Sequence, residues 1–183
     1  MKTPHEYVAA LSTLIHSANW GSVDRLIEML SGVRETGKQV FLCGNGGSAA
    51  NAMHIANDFL YGASVSGKRG LRVEALSANA SILTCLGNDI SYDDIFSQQL
   101  IVKGNPGDLL IALSGSGNSP NIIKVIEVGK NIGVTTAGIL GFDGGRCKEI
   151  LDLPIHFDID DMQLAEDLQL IVGHMCMKYL ADV

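Results

Sequence analysis

The sequence VFLCGNGGSAANAMHIAND at residues 40–58 passes from an apolar run, through glycines, into residues with helical spacing. The apolar run predicts a buried strand, and the change of spacing after Ser48 predicts that a helix follows it directly. Such a junction leaves backbone N–H groups unpaired at the positive end of the helix dipole, where they can bind an anion. This stretch therefore predicts an anion-binding turn at the edge of a parallel sheet.

A second junction of this kind follows the apolar residues 109–113 and has the sequence SGSGNS at residues 114–119. The hydroxyl groups of Ser114, Ser116 and Ser119 suit a terminal phosphate, because its oxygens each accept hydrogen bonds. Neither junction matches the GxxxxGK[ST] loop or the GxGxxG fingerprint of nucleotide-binding proteins. Either turn alone could be an ordinary loop, but two of them at strand-to-helix junctions favour a phosphorylated small molecule.

The chain alternates between strand-like and helix-like segments, and its 183 residues, 46% of them hydrophobic, fit one domain with a buried core. Strands rich in Val, Leu and Ile between helices predict an α/β fold of three layers, with a mainly parallel five-stranded sheet flanked by helices. The predicted strands cover residues 39–43, 71–76, 109–114, 135–140 and 153–157. The predicted helices cover residues 8–16, 22–34, 48–61, 79–86, 91–102, 119–131, 145–150 and 161–181, with Ser22 as the N-cap of the second and a polar loop at residues 62–70.

Charge, cysteine spacing and hydropathy restrict the classes of function. The net charge of −7 includes no cluster of Lys and Arg large enough for a nucleic-acid surface. The four cysteines have no CxxC spacing and are expected to be reduced thiols. Residues 1–7 are polar rather than a signal peptide, and no apolar run approaches the roughly 20 residues that cross a bilayer. We therefore predict a soluble cytoplasmic protein with neither a nucleic acid nor a membrane as partner.

Four ionisable residues on two predicted helices are the candidates for chemistry. His54 and Asp58 are four residues apart and share one face of a helix. Glu166 and His174 are eight residues apart on one broad face of the last helix. Imidazole and carboxylate groups in this mixture suit a divalent metal such as zinc, or acid/base catalysis by a tuned pair. His174 alone would favour a buried structural histidine, but His54 and the two anion-binding turns favour a functional one.

Four motifs in order resemble the phosphoheptose isomerase family of the SIS fold. They are CGNGGS followed by AMH within residues 43–54, GND at residues 87–89, SGSGNS at residues 114–119 and a last helix with His174 near its end. The resemblance extends over about residues 23–180 and implies a single flavodoxin-like SIS domain over residues 1–183. It also implies a homotetramer with active sites at subunit interfaces, in which the two N-terminal helices, about residues 5–35, pack in the centre.

The resemblance further implies an activity and the residues that carry it. The activity is the aldose–ketose interconversion of sedoheptulose 7-phosphate and D-glycero-D-manno-heptose 7-phosphate through an enediol, with one zinc ion per site, in heptose synthesis for lipopolysaccharide or capsule. The residues assigned to substrate binding are Asn45, Gly46, Gly47, Ser48, Asn88, Asp89, Ser114, Gly115, Ser116, Ser119 and Glu166. Those assigned to metal binding are His54, Asp58, Glu166 and His174, and those assigned to catalysis are Asp58, Glu166 and His174.

Two of these positions depart from the family pattern. Asp58 stands where the family has Glu, and its shorter side chain reaches less far. Glu166 stands where the family has Gln, and its negative charge strengthens metal binding and can serve as a base. Either carboxylate can therefore take the carbon-bound proton, and the substrate can be another sugar phosphate.

Two classes other than an isomerase also share this fold. One is a non-catalytic relative that binds the bacterial replication initiator protein and lacks the terminal catalytic histidine. The other is a regulatory sensor that binds a sugar phosphate without turnover. The presence of His174, together with His54 and two carboxylates, favours an enzyme over both alternatives.

Overall fold

The computed structural model describes residues 3–64, 67 and 69–182, which contain five strands and eight α-helices. The strands are β1 (Gln39–Gly44), β2 (Arg72–Ala75), β3 (Leu109–Ser114), β4 (Thr135–Leu140) and β5 (Leu153–His156). The helices are α1 (Pro4–Ser17), α2 (Gly21–Thr36), α3 (Gly46–Leu60), α4 (Ala80–Asp89), α5 (Ser97–Lys103), α6 (Pro120–Asn131), α7 (Gly145–Ile150) and α8 (Met162–Asp182). The predicted loop at residues 62–70 begins with a 3₁₀ turn, Gly62–Ser64, and its residues 65, 66 and 68 lie outside the described residues.

The five strands form one parallel sheet in the order β2-β1-β3-β4-β5. Alternate side chains of β1 enter opposite cores. Val40 and Leu42 pack in the core formed with α2, α3 and α8, whereas Phe41 and Cys43 pack in the core formed with α5, α6 and α7. Because helices cover both faces, the inner strands β1 and β3 are nearly continuous apolar runs, whereas the edge strand β2 has the sequence RVEA. The predicted three-layer α/β fold with a parallel five-stranded sheet is confirmed.

The strand order creates a crevice between β1 and β3. These strands are neighbours, with Gly44 opposite Leu113. Helix α3 follows β1 on one face of the sheet, where Ile55 is buried, and α6 follows β3 on the other face, where Ile122 is buried. At such a topological switch point, the carboxyl ends of two strands and the amino ends of two helices open onto the same space. Both predicted anion-binding turns lie there.

The second helix begins before its predicted start. Helix α2 starts at Gly21, with Trp20 rather than Ser22 at the N-cap. The indole N–H of Trp20 donates to the carbonyl of Ile15 at 3.1 Å, and its ring lies 5.8 Å from that of Phe157, centroid to centroid. The prediction of Ser22 as N-cap was wrong because the packing of Trp20 sets the point where the chain turns into α2.

The predicted helix over residues 91–102 is divided in two. The hydroxyl of Ser91 accepts the backbone N–H of Asp93 at 3.1 Å and starts a 3₁₀ turn, Tyr92–Asp94. The buried carboxylate of Asp94 lies 2.7 Å from the ammonium group of Lys124 on α6, which holds this turn against α6. Helix α5 therefore begins only at Ser97.

The structure also bears on two expectations drawn from composition. The four cysteines, all within the described residues, form no disulfide, and three of them are buried. Burial raises the pKa of the Cys147 thiol to about 11 and that of the Cys176 thiol to about 12, so both stay protonated and unreactive at neutral pH. Among the described helices, none is both long enough and apolar enough to cross a membrane.

Leu30 of α2 is fully buried in the core beneath the sheet, and its replacement tests that core. We expect Leu30→Ala to lower the free energy of unfolding by about 2–5 kcal/mol, because the packed helices cannot fill the resulting cavity. Urea denaturation followed by circular dichroism measures the change. Val102→Ala is the control, at a position 84% exposed on α5, and should change the same quantity by less than about 0.5 kcal/mol. Equal effects of the two substitutions would contradict this description of the core.

Candidate active site

A cavity of about 250 Å³ fills the crevice between β1 and β3. Three parts of the chain line it: the turn after β1, the turn after β3 and the first turns of α8. Its lining residues are Asn45, Gly46, Gly47, Ser48, Leu113, Ser114, Gly115, Ser116, Ser119, Met162 and Glu166. The structure therefore brings together all of the residues predicted to bind substrate except Asn88 and Asp89.

A larger cleft of about 530 Å³ lies at the opposite, amino end of the strands. Its three cations already bond to neighbouring oxygens. Lys38 donates to the carbonyl of Pro106 at 2.8 Å, Arg72 donates to that of Gly37 at 2.9 Å, and Lys103 pairs with Glu74. These charges hold strand and helix ends together, so the smaller cavity at the switch point is the candidate site.

The turn after β1 presents the amino end of α3 to the cavity. Asn45 is the N-cap residue of α3, but its side chain does not cap the helix. Instead, the side-chain amides of Asn45 and buried Asn121 bond to each other in both directions, at 2.8 and 2.9 Å. Gly46 has a φ of +55°, a left-handed conformation that favours glycine. The backbone N–H groups in the first turn of α3 therefore face the cavity without a cap from Asn45.

The turn after β3 is held open by its own side chains. The hydroxyl of Ser114 accepts the backbone N–H of Gly117 at 3.0 Å, and that of Ser116 accepts the backbone N–H of Asn118 at 3.3 Å. A Cβ at Gly117 would collide with the carbonyl of Gly144, and its φ of +65° also favours glycine. Ser119 is the N-cap of α6, yet within the described residues its hydroxyl makes no capping bond. That hydroxyl is available to a phosphate.

Glu166 is the single carboxylate among the residues that line the cavity. Its carboxylate packs directly on Gly47, where a Cβ would collide with both of its oxygens. The negative charge therefore lies at the positive amino end of α3, which stabilises it. One of the two predicted anion-binding turns already faces an anion from the protein itself.

A buried polar network sets the position of α8 against α3. The amide of Asn51 donates to the backbone carbonyl of Glu166 at 3.0 Å and to Gln169 Oε1 at 2.9 Å. Gln169 Nε2 in turn donates to the hydroxyl of Ser48 at 3.0 Å. Ser48 and Gln169 are buried, so each needs this partner. The predicted substrate contact Ser48 thus lines the cavity and also anchors α8.

Further along the same two helices, His54, Asp58 and His174 form a cluster. Their ring nitrogens His54 Nε2 and His174 Nε2 are 3.0 Å apart, and Asp58 Oδ2 lies 3.5 Å from each. Both histidines are about half exposed, while Asp58 is 17% exposed. We use the term triad for these three residues, because one atom of each lies within 4.8 Å of the others.

The geometry of the triad fits zinc. Two ligand atoms about 2.0–2.1 Å from a tetrahedral zinc ion lie about 3.3 Å apart, close to the distances within the triad. Three protein ligands with an open fourth position are the arrangement of catalytic zinc sites. The fourth predicted ligand, Glu166, is not part of this group: it lies eight residues before His174, about 12 Å along α8, and contacts Gly47.

Asn88 and Asp89 are not brought to the cavity. Both are exposed at the carboxyl end of α4, where Asn88 Nδ2 donates to Asp89 Oδ1 at 2.8 Å. The hydrogen bond from Asn88 lowers the pKa of the Asp89 carboxyl below its usual value. In the described chain these two residues contact each other rather than the lining residues.

Sequence reasoning missed Met162, which lines the cavity, and two residues that contact the lining residue Asn45. Asn121 holds Asn45 from α6, the hydroxyl of Tyr92 donates to Asn45 Oδ1 at 3.1 Å, and Met162 covers Gly115. The one local signal was an asparagine after Pro120 in the first turn of α6, where a polar residue interrupts an apolar pattern. Tyr92 carried no signal, because only tertiary packing brings its turn to the cavity.

The fold and the paired turns define the class of protein. A sequence profile of the SIS domain family matches residues 5–141, which is more than half of the chain and includes both turns. The chain is therefore a SIS-domain protein, as its motifs predicted.

Similar proteins identify the family within this class. Phosphoheptose isomerase from Clostridium acetobutylicum is 40% identical over 153 residues, covering 84% of this chain and 78% of the relative. The enzyme of the same name from Rhodospirillum rubrum is 41% identical over 146 residues, covering 80% and 77%. The structure of phosphoheptose isomerase from Neisseria gonorrhoeae, 26% identical, superposes with a TM-score of 0.88 over 99% of this chain and 100% of that chain. This chain belongs to the phosphoheptose isomerase family.

Ser119 and Ser114 provide a test of the turn after β3, because their hydroxyls differ in what they already hold. Ser119→Ala should weaken the binding of inorganic phosphate at least about 10-fold, through the loss of one donor to a charged ligand, with the free energy of unfolding nearly unchanged. Ser114→Ala should also lower the free energy of unfolding by about 1 kcal/mol, since the buried N–H of Gly117 loses its acceptor. Titration calorimetry and urea denaturation measure the two quantities. Unaltered phosphate affinity in Ser119→Ala would place the phosphate elsewhere.

Proposed function

We propose that this phosphosugar isomerase interconverts sedoheptulose 7-phosphate and D-glycero-D-manno-heptose 7-phosphate by moving a proton between C1 and C2. The observation that carries the proposal is that one pair of helices, α3 and α8, joins the cavity beside the serine turn to the triad. Relatives about 40% identical bear the name of this activity. We place the reaction in the cytoplasm, a compartment that the free cysteines support. We assign it to heptose synthesis for lipopolysaccharide or capsule.

The phosphate group binds at the turn after β3. There the hydroxyl of Ser119 can donate to its oxygens, and the positive end of the dipole of the 12-residue helix α6 favours its charge. At the turn after β1, the carboxylate of Glu166 would repel a phosphate dianion. The phosphate is thereby directed to the serine turn, and the sugar chain extends past Gly47, where Glu166 can accept hydrogen bonds from its hydroxyl groups.

The distance between cavity and triad matches a long sugar. Helices α3 and α8 run in the same direction, since Ser48 contacts Gln169 and His54 contacts His174. His54 lies six residues after Ser48, about 9 Å along α3. An extended seven-carbon sugar phosphate is of similar length. With its phosphate at the serine turn, we infer that its chain extends along α3 and places C1 and C2 toward the triad.

The triad supplies the groups that the reaction needs. His54, Asp58 and His174 would hold a zinc ion, which when bound polarises the substrate carbonyl. Asp58 directs Oδ2 toward both histidines, which leaves Oδ1 for the substrate. This carboxylate takes the proton from C2 of the aldose to give the enediol and returns a proton to C1 of the ketose. The proton on O2 moves to O1. The imidazole of His174 can carry this proton when His54 and Asp58 hold the zinc without it, because a ring nitrogen bound to the metal cannot also accept a proton.

Turnover of sedoheptulose 7-phosphate by purified, zinc-loaded protein tests these roles. We expect Asp58→Asn to lower kcat at least about 100-fold, because an amide cannot take the proton. We expect Glu166→Gln to raise KM about 5- to 10-fold with little change in kcat, because it loses charged hydrogen bonds to the sugar chain. We expect His54→Ala to lose bound zinc, measured by mass spectrometry of the metal, together with activity.

The same variants separate the alternatives. A collapse of kcat in Glu166→Gln, with kcat retained in Asp58→Asn, would assign the carbon-bound proton to Glu166. Full zinc content in His174→Ala, with activity lost, would make His174 a proton carrier and not a ligand. Absence of turnover in the wild-type protein, with sugar-phosphate binding still measurable, would overturn the heptose assignment in favour of another sugar phosphate or a binding protein.

We also infer a homotetramer whose active sites lie at subunit interfaces, with α1 and α2 in its centre. Apolar residues of α3 and α8 around the triad are exposed, among them Met53, Leu60, Met175 and Tyr179. Helix α1 has no fully buried residue, although Val8, Leu11 and Leu14 are apolar. A monomer would leave these apolar surfaces in water, which is unusual for an isolated chain.

Sedimentation equilibrium should therefore give the mass of four chains. Leu60→Asp, which places a charge on the exposed side of α3, should shift the protein toward smaller species and lower its activity in parallel. Val102→Asp on α5, away from the triad, serves as the control and should leave the mass unchanged if that face remains in solvent. A fully active monomer would contradict this inference.

A further inference from the structure

Tyr92 reaches the turn after β1 from the short 3₁₀ turn that follows α4. Its side chain is 59% exposed, yet its hydroxyl donates to Asn45 Oδ1 at 3.1 Å. Asn45 lines the cavity, so the phenol oxygen lies at the edge of the proposed sugar site. Neither the motifs of the sequence nor the roles assigned above give this residue a function.

The hydrogen-bonding groups of Asn45 and Tyr92 are only partly used by the protein. Asn45 Oδ1 accepts from both Asn121 and Tyr92, which fills its two acceptor positions. Asn45 Nδ2 gives one N–H to Asn121, and within the described residues its second N–H has no partner. The hydroxyl of Tyr92 donates its proton to Asn45, and its oxygen can still accept a hydrogen bond. The reciprocal pair with Asn121 uses the N–H that lies beside Oδ1, so the remaining N–H of Asn45 points away from Tyr92. The unused acceptor at the edge of the cavity is therefore the oxygen of Tyr92.

This acceptor matches an alcohol better than a phosphate. A hydroxyl group can donate to the oxygen of Tyr92, whereas a phosphate dianion only accepts. We propose that Tyr92, oriented by Asn45, accepts a hydrogen bond from a hydroxyl of the sugar chain near its phosphate end and so selects polyol phosphates over other phosphates. The proposal rests on the proposed function in one respect, that the ligand is an extended sugar phosphate held at the turn after β3.

Helix α6 holds both partners of this hydroxyl site in place. Asn121 and Lys124 are three residues apart and share one face of α6. Asn121 fixes the amide of Asn45, and Lys124 pairs with buried Asp94 at 2.7 Å, two residues after Tyr92. Lys124 is therefore a positioning residue that acts on the sugar through the turn of Tyr92.

Titration calorimetry with three ligands that cannot isomerise tests the proposal. The ligands are D-glucitol 6-phosphate, hexyl phosphate and inorganic phosphate, which share the phosphate but differ in hydroxyl groups and chain. Tyr92→Phe should weaken the binding of D-glucitol 6-phosphate about 5- to 10-fold, because its hydrogen bond to the sugar is lost. It should weaken the binding of the other two ligands by less than about twofold. Thr135→Val is the control, which removes an exposed hydroxyl at the amino end of β4, at the opposite edge of the sheet from the cavity, and should leave all three affinities unchanged.

The positioning role of Lys124 has its own signature. Lys124→Met should give the same selective loss of D-glucitol 6-phosphate affinity as Tyr92→Phe, because buried Asp94 loses the cation that holds its turn. Lys124→Arg keeps that cation and should restore most of the affinity. If Lys124→Met instead weakens the binding of all three ligands to the same degree, it acts through a general loss of stability. That result would overturn the positioning role.

Two outcomes for Tyr92→Phe would overturn the hydroxyl site. Undiminished affinity for D-glucitol 6-phosphate would show that Tyr92 does not contact the sugar. Equal weakening of all three ligands would show that it acts through the phosphate turn instead. Turnover of sedoheptulose 7-phosphate, measured on the same samples, separates the two proposals. Wild-type protein that binds D-glucitol 6-phosphate but has no turnover would overturn the reaction and leave the hydroxyl site standing.

Discussion

The parallel pairing of β1 with β3, whose following helices cover opposite faces of the sheet, is the constraint on which the site depends. Because α3 and α6 diverge, no helix closes the sheet edge between them, and a crevice remains. The amino ends of both helices open into it, so unpaired N–H groups and two dipoles act on the same small volume. A phosphate can lose its hydrating water there only because these fixed donors replace the hydrogen bonds that the water made.

The two turns in the crevice are chemically unlike, although their sequences are similar. The turn after β1 faces the carboxylate of Glu166 and has its asparagine occupied by Asn121. The turn after β3 offers the hydroxyl of Ser119, and none of the residues of the turn itself is acidic. Because the carboxylate of Glu166 contacts Gly47, it favours a sugar phosphate with its dianion at the second turn and its neutral hydroxyl groups toward the first. Gln at the position of Glu166, as in the family pattern, would orient the ligand less strongly.

The network of Ser48, Asn51 and Gln169 couples the cavity to the triad. Its groups are buried or partly buried, so a slip of α8 by one residue would leave several of them unsatisfied. This fixed register places His174 opposite His54, and it places Glu166 over Gly47. It also explains how Asp58, shorter than the usual Glu, still lies 3.5 Å from both imidazoles. The helices approach closely there, since a Cβ at Gly173 would meet Ile55.

The sequence by itself determined the features that depend on neighbouring residues. Apolar runs marked the inner strands, and glycines at strand ends marked both turns, because backbone conformation and helix dipoles are local properties. The spacing of His54 and Asp58 placed them on one helix face for the same reason. Contacts between distant residues were decided only by the tertiary structure. The packing of Trp20 moved the start of α2, and Asp94 with Lys124 divided the predicted helix over residues 91–102. Similarly, α8 separated Glu166 from the triad, since helix register depends on buried polar partners that no local pattern records.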